Sequence, residues 1–254
     1  MRGITVDTLS AGYGRKSVLS GISGSFPAGT VTLVLGPNGS GKSTLLRALA
    51  GGIPYLGSVK VDGTELSSME SRERGRRIGV VSQSPSLSFP FSVLEVVRMG
   101  RLPHRRMPWR QGSGDDGACR AAAEEMELCG LLSRRVTELS GGERQRTAIA
   151  QVIAQQPDAY ILDEPSSALD PRHTLRLFGF LRAVAREGRT VIAAVHDINL
   201  AAEFGDGVWL LKEGRLAASG SLEDTLTEGV LSGVYGVPFV PFRDGRDRKI
   251  WRAG

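Results

Sequence analysis

Short apolar runs separated by glycine-containing turns dominate the first third of the chain, a pattern that predicts β-strands. The predicted strands here are Gly3–Thr8, Val31–Leu35, Ser58–Val61 and Ile78–Val81. The middle of the chain, from about Pro85 to Pro157, is mostly helical in character. It contains a stretch rich in Gly, Ser and Asp at Gln111–Gly117 that predicts a loop.

The last third alternates predicted strands with predicted helices. Strands are expected at Ala159–Leu162 and Thr190–Val195, and helices at Arg172–Glu187 and Ile198–Phe204. Gly188 is expected to end the first of these helices in a left-handed conformation. Strands that alternate with helices predict an α/β fold with a mostly parallel sheet covered on both faces, and the helical block in the middle predicts a second lobe.

The composition is that of a globular protein with one or two compact units. The 254 residues are 41% hydrophobic and 23% charged, which excludes a disordered chain, a collagen and a disulfide-stapled mini-protein. Cys119 and Cys129 have no histidines near them at metal-ligand spacing. They are expected to be reduced thiols in a helix.

Positive charge is slightly in excess and unevenly distributed. The chain has 32 Lys and Arg against 27 Asp and Glu, a net charge of +5, which says little about nucleic acid. Two basic clusters each fit a solvated surface, a patch near anionic lipid headgroups or a surface for an acidic partner. Neither has the interleaved aromatic residues of a single-strand-binding groove. The clusters are Arg98, Arg101, Arg105, Arg106 and Arg110, and Arg243, Arg246, Arg248, Lys249 and Arg252.

The apolar runs are too short to cross a bilayer. The longest, such as Val31–Leu35 and Val191–Val195, fall far below the ~20 residues that a membrane span needs. The first six residues carry no apolar signal core. We therefore expect the chain to stay in the cytosol, with any membrane role arising through a partner.

A phosphate-binding loop of the pattern G-x-x-x-x-G-K-[ST] lies between a predicted strand and a helix-forming run, which is the context the pattern requires. Glycines let successive backbone N–H groups point inward, and the helix N-terminus adds positive partial charge. Lys42 is expected to reach the β- and γ-phosphates and Ser43 to ligate Mg²⁺. The predicted nucleotide-binding residues of this loop are Gly36, Pro37, Asn38, Gly39, Ser40, Gly41, Lys42, Ser43 and Thr44.

Two adjacent carboxylates, Asp163 and Glu164, end a predicted apolar strand. Adjacent residues at a strand end point to opposite sides, so they can do different work at one site. Asp163 is predicted to hold Mg²⁺, and Glu164 to orient or deprotonate the attacking water. A strand-end turn is the alternative interpretation, and the phosphate loop upstream favours the functional one.

Ser140 and Glu143 are spaced as a capping box that opens a helix. Gly141 and Gly142 follow the cap directly, although glycine costs roughly 1 kcal/mol relative to alanine inside a helix. Their presence indicates that bare backbone is needed there. Ser140 with the amides of Gly141 and Gly142 is therefore predicted to form a second anion site at a helix N-terminus.

Leu139-Ser140-Gly141-Gly142-Glu143 resembles the signature of ATP-binding cassette (ABC) ATPases, and the phosphate loop and the Asp163–Glu164 strand occur with it in that family's order. The resemblance covers essentially the whole chain. It implies an α/β P-loop NTPase (RecA-like) core at residues 1–84 and 157–254, with an N-terminal antiparallel β subdomain. Residues 85–156 are then an inserted α-helical subdomain that carries the signature.

The resemblance also implies a homodimer with ATP and Mg²⁺. In this family two copies pack head to tail, and each nucleotide lies between the phosphate loop of one copy and the signature of the other. Ser140, Gly141 and Gly142 are thus expected to bind the γ-phosphate in trans.

Further family positions can be placed one by one. Tyr13 is similar to the aromatic residue that stacks on adenine, with a surface tyrosine as the alternative. Gln83 is similar to the glutamine that touches Mg²⁺ and senses the transporter. Asp170 ends a loop that resembles the one that communicates across the dimer, and it is also expected to cap the next helix. His196 resembles the histidine that contacts the γ-phosphate, with a buried structural histidine as the alternative. His104 and His173 match no catalytic position and are interpreted as loop or surface residues.

The segment Phe91–His104 resembles the ATPases of importers for ferric siderophores, haem and cobalamin, above all in its Gly100–His104 run. Residues 196–202 and Val234–Val237 are similar to that group as well. The resemblance implies a peripheral subunit on the cytoplasmic face of the membrane. Its partners would be two separate permease subunits, docking near Gln83 and residues 85–105, and indirectly a substrate-binding protein.

Two other functions remain open at this point. A soluble ABC ATPase of an iron–sulfur cluster scaffold is the main alternative, and the Gly100–His104 run argues against it. A DNA-repair or chromosome ATPase needs long coiled coils, for which the interval from Gln83 to Ser140 is too short and too poor in heptads. No nucleic-acid partner is therefore expected.

Overall fold

The computed structural model describes residues 2–83, 89–105, 115–243, 245 and 249–254. The strands of these residues are β1 (Gly3–Tyr13), β2 (Lys16–Pro27), β3 (Val31–Leu35), β4 (Tyr55–Val61), β5 (Thr64–Glu65), β6 (Ile78–Val81), β7 (Ala159–Asp163), β8 (Thr190–Ala194), β9 (Gly207–Lys212), β10 (Arg215–Ser221), β11 (Phe239–Arg243) and β12 (Lys249–Ala253). The α-helices are α1 (Lys42–Leu49), α2 (Ser71–Arg77), α3 (Val93–Met99), α4 (Asp115–Glu125), α5 (Gly141–Gln155), α6 (Pro171–Arg186), α7 (Ile198–Phe204), α8 (Leu222–Thr225) and α9 (Glu228–Tyr235).

The chain divides into two compact units, one formed by Met1–Ser68 with Leu181–Gly254 and the other by Met69–Phe180. The predicted α/β class with an antiparallel β part and a helical insertion is confirmed. Helix α6 begins one residue before the predicted start and ends one residue before the predicted end. Gly188 follows it with φ +88°, the left-handed conformation that the sequence predicts.

The first unit contains an antiparallel sheet in the order β2-β1-β4-β5. Strand β2 is missing from the sequence-based prediction. Ile22 and Phe26 are an even number of positions apart, as on one face of a strand, but Leu19 and Ile22, also fully buried, are three positions apart because a bulge in β2 sets this step against Leu9–Ala11 of β1. The irregular spacing hides the alternation by which a half-buried strand is recognised.

The first unit also contains strands side by side in the order β10-β9-β3-β8. Strand β3 pairs in parallel with both β8 and β9, and all residues of β3 and β8 are buried. Burial of every position is typical of a parallel sheet whose two faces are both covered, which confirms the prediction. Strand β3 leads directly into the phosphate loop.

The second unit contains the parallel pair β6 and β7, with Ile78 opposite Ala159, and a helical part in which α5 packs on α3 and α4. The predicted loop at Gln111–Gly117 is wrong where it can be compared, because Asp115 to Gly117 already belong to α4. Two acidic residues in a first turn favour a helix through the macrodipole. Residues 111–114 of that prediction lie outside the described part.

Ion pairs at the start of α4 correct the interpretation of the first basic cluster as a solvated surface. The buried carboxylate of Asp115 accepts from Arg101 Nε at 3.0 Å and Arg105 Nε at 3.1 Å, and Arg98 pairs with Asp116 at 3.0 Å. The side chains of Arg101 and Arg105 are only 12% and 11% exposed. Arg106 and Arg110 lie outside the described residues.

The C-terminal tail forms an antiparallel hairpin of β11 and β12, in which Val240 lies opposite Arg252. Its Arg243, Lys249 and Arg252 are described, whereas Arg246 and Arg248 are not. Both cysteines are free thiols; Cys119 is buried in α4, whereas Cys129 is exposed in a short 3₁₀ turn instead of an α-helix. Among the described helices, none has the length and apolarity to cross a bilayer.

Candidate functional site

The phosphate loop wraps around the ammonium group of Lys42. Lys42 Nζ donates to the carbonyl oxygens of Gly36 at 2.7 Å and Pro37 at 3.1 Å. Gly36 has φ +144°, and a Cβ there would collide with the carbonyl oxygen of Leu211. The residue before α1, Gly41, is left-handed and makes no side-chain cap. The amides of the first helical turn and the ammonium group are thus arranged to receive an anion.

The environment of the loop supports this chemistry. Ser40 is 3% exposed, and within the described residues its hydroxyl has no hydrogen-bond partner. A buried hydroxyl without a partner is costly, so a bound group that supplies one is favoured. Ser43 is half-buried and Thr44 buried at the start of the helix. Pro37, Asn38 and Gly39 are the exposed or half-exposed rim of the loop.

Tyr13 lies at the end of β1 with 44% of its surface exposed. Arg47 of α1 donates to its hydroxyl at 3.1 Å. Tyr13 also lines a cavity of about 630 Å³ together with Arg15, Lys16 and Tyr55. An exposed aromatic ring beside a cavity lined by basic residues can stack on a flat nucleotide base. The hydrogen bond from Arg47 to Tyr13 is a contact that the sequence pattern did not indicate.

Gln83 and Glu164 meet in the second unit. Gln83 Nε2 donates to Glu164 Oε2 at 2.7 Å. The strand geometry of β7 ends at Asp163, which is 7% exposed, and Glu164 continues with φ +47°. A left-handed backbone in a non-glycine residue costs of order 1 kcal/mol and is concentrated at functional sites. The sequence placed these two residues near the same chemistry but gave no sign that they bond to each other.

Helix α5 begins with the predicted capping box. Ser140 Oγ accepts from Glu143 N at 3.3 Å, and Ser140 N donates to Glu143 Oε2 at 2.8 Å. The Ser140 hydroxyl also donates to Glu143 Oε2 at 2.7 Å, and this bond, together with the one from Ser140 N, holds the pKa of Glu143 below its ordinary value of 4.5, so the carboxylate is ionised at neutral pH. A Cβ on Gly142 would approach the Ala168 carbonyl oxygen to 2.9 Å, whereas one on Gly141 would meet open space. Gly142 is therefore required by close packing, and Gly141 leaves an accessible backbone.

Asp170 caps α6 as predicted. Its Oδ1 accepts from His173 N at 2.8 Å and its Oδ2 lies 2.8 Å from His173 Nδ1, contacts that lower the pKa of the Asp170 carboxyl. His173 Nε2 is also 3.4 Å from Glu127 Oε2, and His104 Nε2 is 2.7 Å from the Gln155 carbonyl oxygen. Both histidines are half-buried and bonded, which corrects their interpretation as plain loop or surface residues.

His196 follows β8 in the first unit and is exposed, so the alternative of a buried structural histidine is wrong. The next residue, Asp197, caps α7 by accepting from Asn199 N at 2.8 Å and Leu200 N at 3.3 Å. This cap fixes the backbone that carries His196. The phosphate loop, Tyr13 and His196 belong to the first unit, and Gln83, Ser140, Asp163 and Glu164 to the second.

The Gly100–His104 run packs on the C-terminal half of α5. A Cβ on Gly100 would collide with the Gln151 carbonyl oxygen, so only glycine allows this approach. Arg101 Nη1 donates to the Ala154 carbonyl oxygen at 2.8 Å, and Pro103 O accepts from Arg76 Nε at 2.7 Å. The run therefore holds α2, α3 and α5 together within the second unit.

Comparisons with known proteins agree with this geometry. A family model described as ABC transporter matches residues 19–167. The chain is 44% identical over 233 residues to the hemin import ATP-binding protein HmuV of Streptomyces coelicolor, covering 90% of this chain and 81% of that protein. It is 39% identical over 241 residues to the HmuV of Rhizobium etli, covering 92% and 90%.

Two solved structures extend the likeness to three dimensions. A metal-chelate type ABC transporter in an inward-facing conformation matches with a TM-score of 0.84 and 27% identity, covering 100% of this chain and 98% of that one. A dimeric ATP-binding cassette in a post-hydrolysis state, bound to ADP and Pi, matches with a TM-score of 0.77 and 26% identity, covering 86% and 98%.

Proposed function

Since this chain belongs to the ABC transporter family of ATP-hydrolysing proteins, we propose that it is the ATPase subunit of an importer that takes up haem. The observation that carries the substrate is the set of relatives named hemin import ATP-binding proteins, at 36–44% identity over about nine-tenths of the chain. Ferric siderophores and cobalamin, the other cargoes of the group that the sequence resembles, are outcomes of the test below.

ATP is bound mainly by the first unit. Tyr13 stacks on the adenine ring, and the loop of residues 36–44 surrounds the phosphates, with backbone N–H groups that follow Pro37 as donors. The Lys42 ammonium group has three N–H donors, so it keeps its bond to the Gly36 carbonyl oxygen and also donates to the β- and γ-phosphate oxygens, which are strong, charged acceptors.

The residues assigned to Mg²⁺ fit that ion. Asp163 offers a carboxylate at a buried strand end, Ser43 a half-buried hydroxyl and Gln83 an amide oxygen, because the bond from Gln83 to Glu164 uses its nitrogen. Hard oxygen donors of this kind are the ligands that Mg²⁺ prefers. When bound, the ion neutralises charge on the β- and γ-phosphates.

Hydrolysis depends on Glu164, which accepts a proton from the attacking water as the water oxygen bonds to the γ-phosphorus. The bond from that phosphorus to the bridging oxygen breaks, and its electron pair leaves with ADP. Gln83 orients the Glu164 carboxylate through the 2.7 Å bond, and His196 contacts the γ-phosphate. General-base catalysis of this kind typically contributes 10²–10⁴-fold to the rate.

The catalytic assembly is a homodimer. Ser140, Gly141 and Gly142 of one copy bind the γ-phosphate held by Lys42 of the other, so ATP shifts an existing equilibrium toward the closed dimer. The dimeric cassette among the structural neighbours supports this arrangement. Two permease subunits dock near Gln83 and residues 85–105, some of which lie outside the described part, on the cytoplasmic face where ATP is supplied. A substrate-binding protein delivers the cargo.

Uptake in a strain that lacks this chain tests the proposal. Growth on haem as the only iron source should fail without the chain, return with the unaltered chain and fail again with Glu164→Gln. Purified Glu164→Gln should bind ATP but hydrolyse it at least about a hundredfold more slowly. Normal growth on haem, together with loss of growth on a ferric siderophore or of cobalamin uptake, would assign the importer to that cargo instead. Co-purification with soluble iron–sulfur scaffold proteins and no permease would contradict import altogether.

A further inference from the structure

The C-terminal helix α9 reaches the first glycine of the phosphate loop. The hydroxyl of Tyr235, the last residue of α9, accepts from the Gly36 N–H at 3.1 Å. Burial raises the pKa of Tyr235. Gly36 is the same residue whose carbonyl oxygen accepts from Lys42 Nζ at 2.7 Å. A single peptide residue thus connects the Tyr235 hydroxyl to the lysine that binds phosphate.

Helix α9 is held in place independently of this bond. Lys212 Nζ donates to the Gly233 carbonyl oxygen at 2.7 Å, and Thr227 caps the start of α9 by accepting from Val230 N at 3.4 Å. The Tyr235 ring packs on Phe239 with centroids 5.3 Å apart. The hydroxyl therefore approaches the phosphate loop from a fixed position.

The same C-terminal segment also contacts α7, the helix that follows His196. The side chain of Asn199 donates to the Trp251 carbonyl oxygen at 3.1 Å and accepts from Trp251 N at 2.7 Å. Strand β12, which carries Trp251, pairs with β11, which carries Phe239. The C-terminal segment thus contacts both the phosphate loop and the helix that directly follows His196.

We propose that Tyr235 is a positioning residue for ATP binding, which fixes the Gly36 peptide and, through it, the Lys42 ammonium group. This inference rests on the proposed function, since it takes Lys42 as a phosphate ligand. Without the hydroxyl, the Gly36 N–H loses its acceptor, and the φ and ψ torsions of Gly36, which set the direction of its carbonyl group, are less restrained. The Gly36 carbonyl then no longer holds Lys42 in the position from which it meets the phosphates.

Tyr235→Phe removes the hydroxyl and keeps the ring on Phe239. For the full-length chain, the dissociation constant of a non-hydrolysable ATP analogue, measured by calorimetric titration, should rise about tenfold. The KM for ATP should rise similarly while kcat changes less than about twofold, because Tyr235 touches no reacting atom. In a Lys42→Ala background the same substitution should change the dissociation constant less than about twofold, since its effect passes through Lys42.

Lys212→Met is the matched control, because it removes a bond that anchors α9 but not the bond to Gly36. Its dissociation constant should stay within about twofold of the unaltered chain. Unchanged affinity in Tyr235→Phe, an equal loss in the Lys42→Ala background, or an equal loss in Lys212→Met would each overturn the inference. If the unaltered chain bound no ATP, the proposed function would fail. If the unaltered chain bound ATP and Tyr235→Phe bound it with the same dissociation constant, the proposed function would stand and this inference alone would fail.

Discussion

Two helices begin at sites assigned to the same phosphate, and they are built in different ways. Helix α1 starts after the left-handed Gly41 without a side-chain cap, and Lys42 supplies a full positive charge inside the loop. Helix α5 starts with a complete capping box, in which Ser140 is already bonded to an ionised Glu143. The phosphate loop can therefore hold an anion by itself, whereas the helix start at the signature already carries the negative charge of Glu143.

In the proposed homodimer, this difference gives the signature its role only when a second copy of the chain holds the nucleotide. A helix N-terminus adds about 0.3–1 kcal/mol to an anion contact at an exposed site. Such a term is too small to capture ATP, but it is sufficient to bias an equilibrium between open and closed dimers. Under the proposed function, strong binding of ATP at the phosphate loop and weak binding at the signature would make dimer assembly depend on the nucleotide.

The largest expected effect is on the strong side of this comparison. Lys42→Ala removes the ammonium group and should weaken ATP binding by about 3 kcal/mol, or roughly a hundredfold. Calorimetric titration measures the affinity, with Lys60→Ala, an exposed lysine on β4, as the control that should bind normally. Equal ATP affinity in Lys42→Ala and Lys60→Ala would contradict the conclusion that the phosphate loop binds the anion through the charge of Lys42.

The two signature glycines should separate packing from binding. Gly142→Ala pushes a Cβ to 2.9 Å from the Ala168 carbonyl oxygen and should reduce the free energy of unfolding by about 1–3 kcal/mol. Gly141→Ala meets open space and should leave that energy unchanged or slightly raised. Gly141→Ala should nevertheless weaken ATP-dependent dimerisation, because its Cβ covers the accessible amide. Denaturant unfolding and sedimentation measure the two quantities; the opposite ranking in stability would show that α5 does not lie close to Ala168.

The smallest expected effect is the pH dependence of the capping box. The folded pKa of Glu143 is lowered, so its stabilising contribution is complete above about pH 4.5 and is lost as the pH falls through that lowered pKa. At pH 7, Glu143→Gln keeps a side chain that can reach the Ser140 N–H but removes the negative charge beside the helix N-terminus, and it should reduce the free energy of unfolding by about 0.3–1 kcal/mol. The difference from the unaltered chain should shrink between pH 5 and about pH 3. Glu124→Gln, an exposed carboxylate on α4, is the control; a gap that is constant with pH contradicts this role of the carboxylate.

The sequence predicts those parts of the fold whose local structure is determined by a short run of neighbouring residues. The phosphate loop, the capping box at Ser140 and the Asp170 cap are local arrangements set by neighbouring residues, and all three occur as expected. Strand β2 and the C-terminal hairpin pair with strands next to them in the chain, but a bulge interrupts the alternation of β2, and most residues of the hairpin are exposed, so neither has a regular apolar pattern.

In the site, the contacts that the sequence did not predict join residues that are distant in the chain. Spacing identified Gln83, Glu164 and Gly36 individually, but the bond between Gln83 and Glu164 joins residues 81 positions apart. The bond from Gly36 to Tyr235 spans 199 positions. Such contacts are set by the packing of whole elements and leave no periodic trace in the sequence.

The mass of the ATP-loaded chain tests the central claim most directly. Glu164→Gln with ATP and Mg²⁺, studied by analytical ultracentrifugation, is expected to form a dimer of two chains, which Ser140→Arg should prevent while ATP binding to each chain persists. Matching light-scattering measurements on the permease complex should find two copies of the chain. A strictly monomeric ATP-loaded protein in solution, together with a single copy in the membrane complex, would contradict the account.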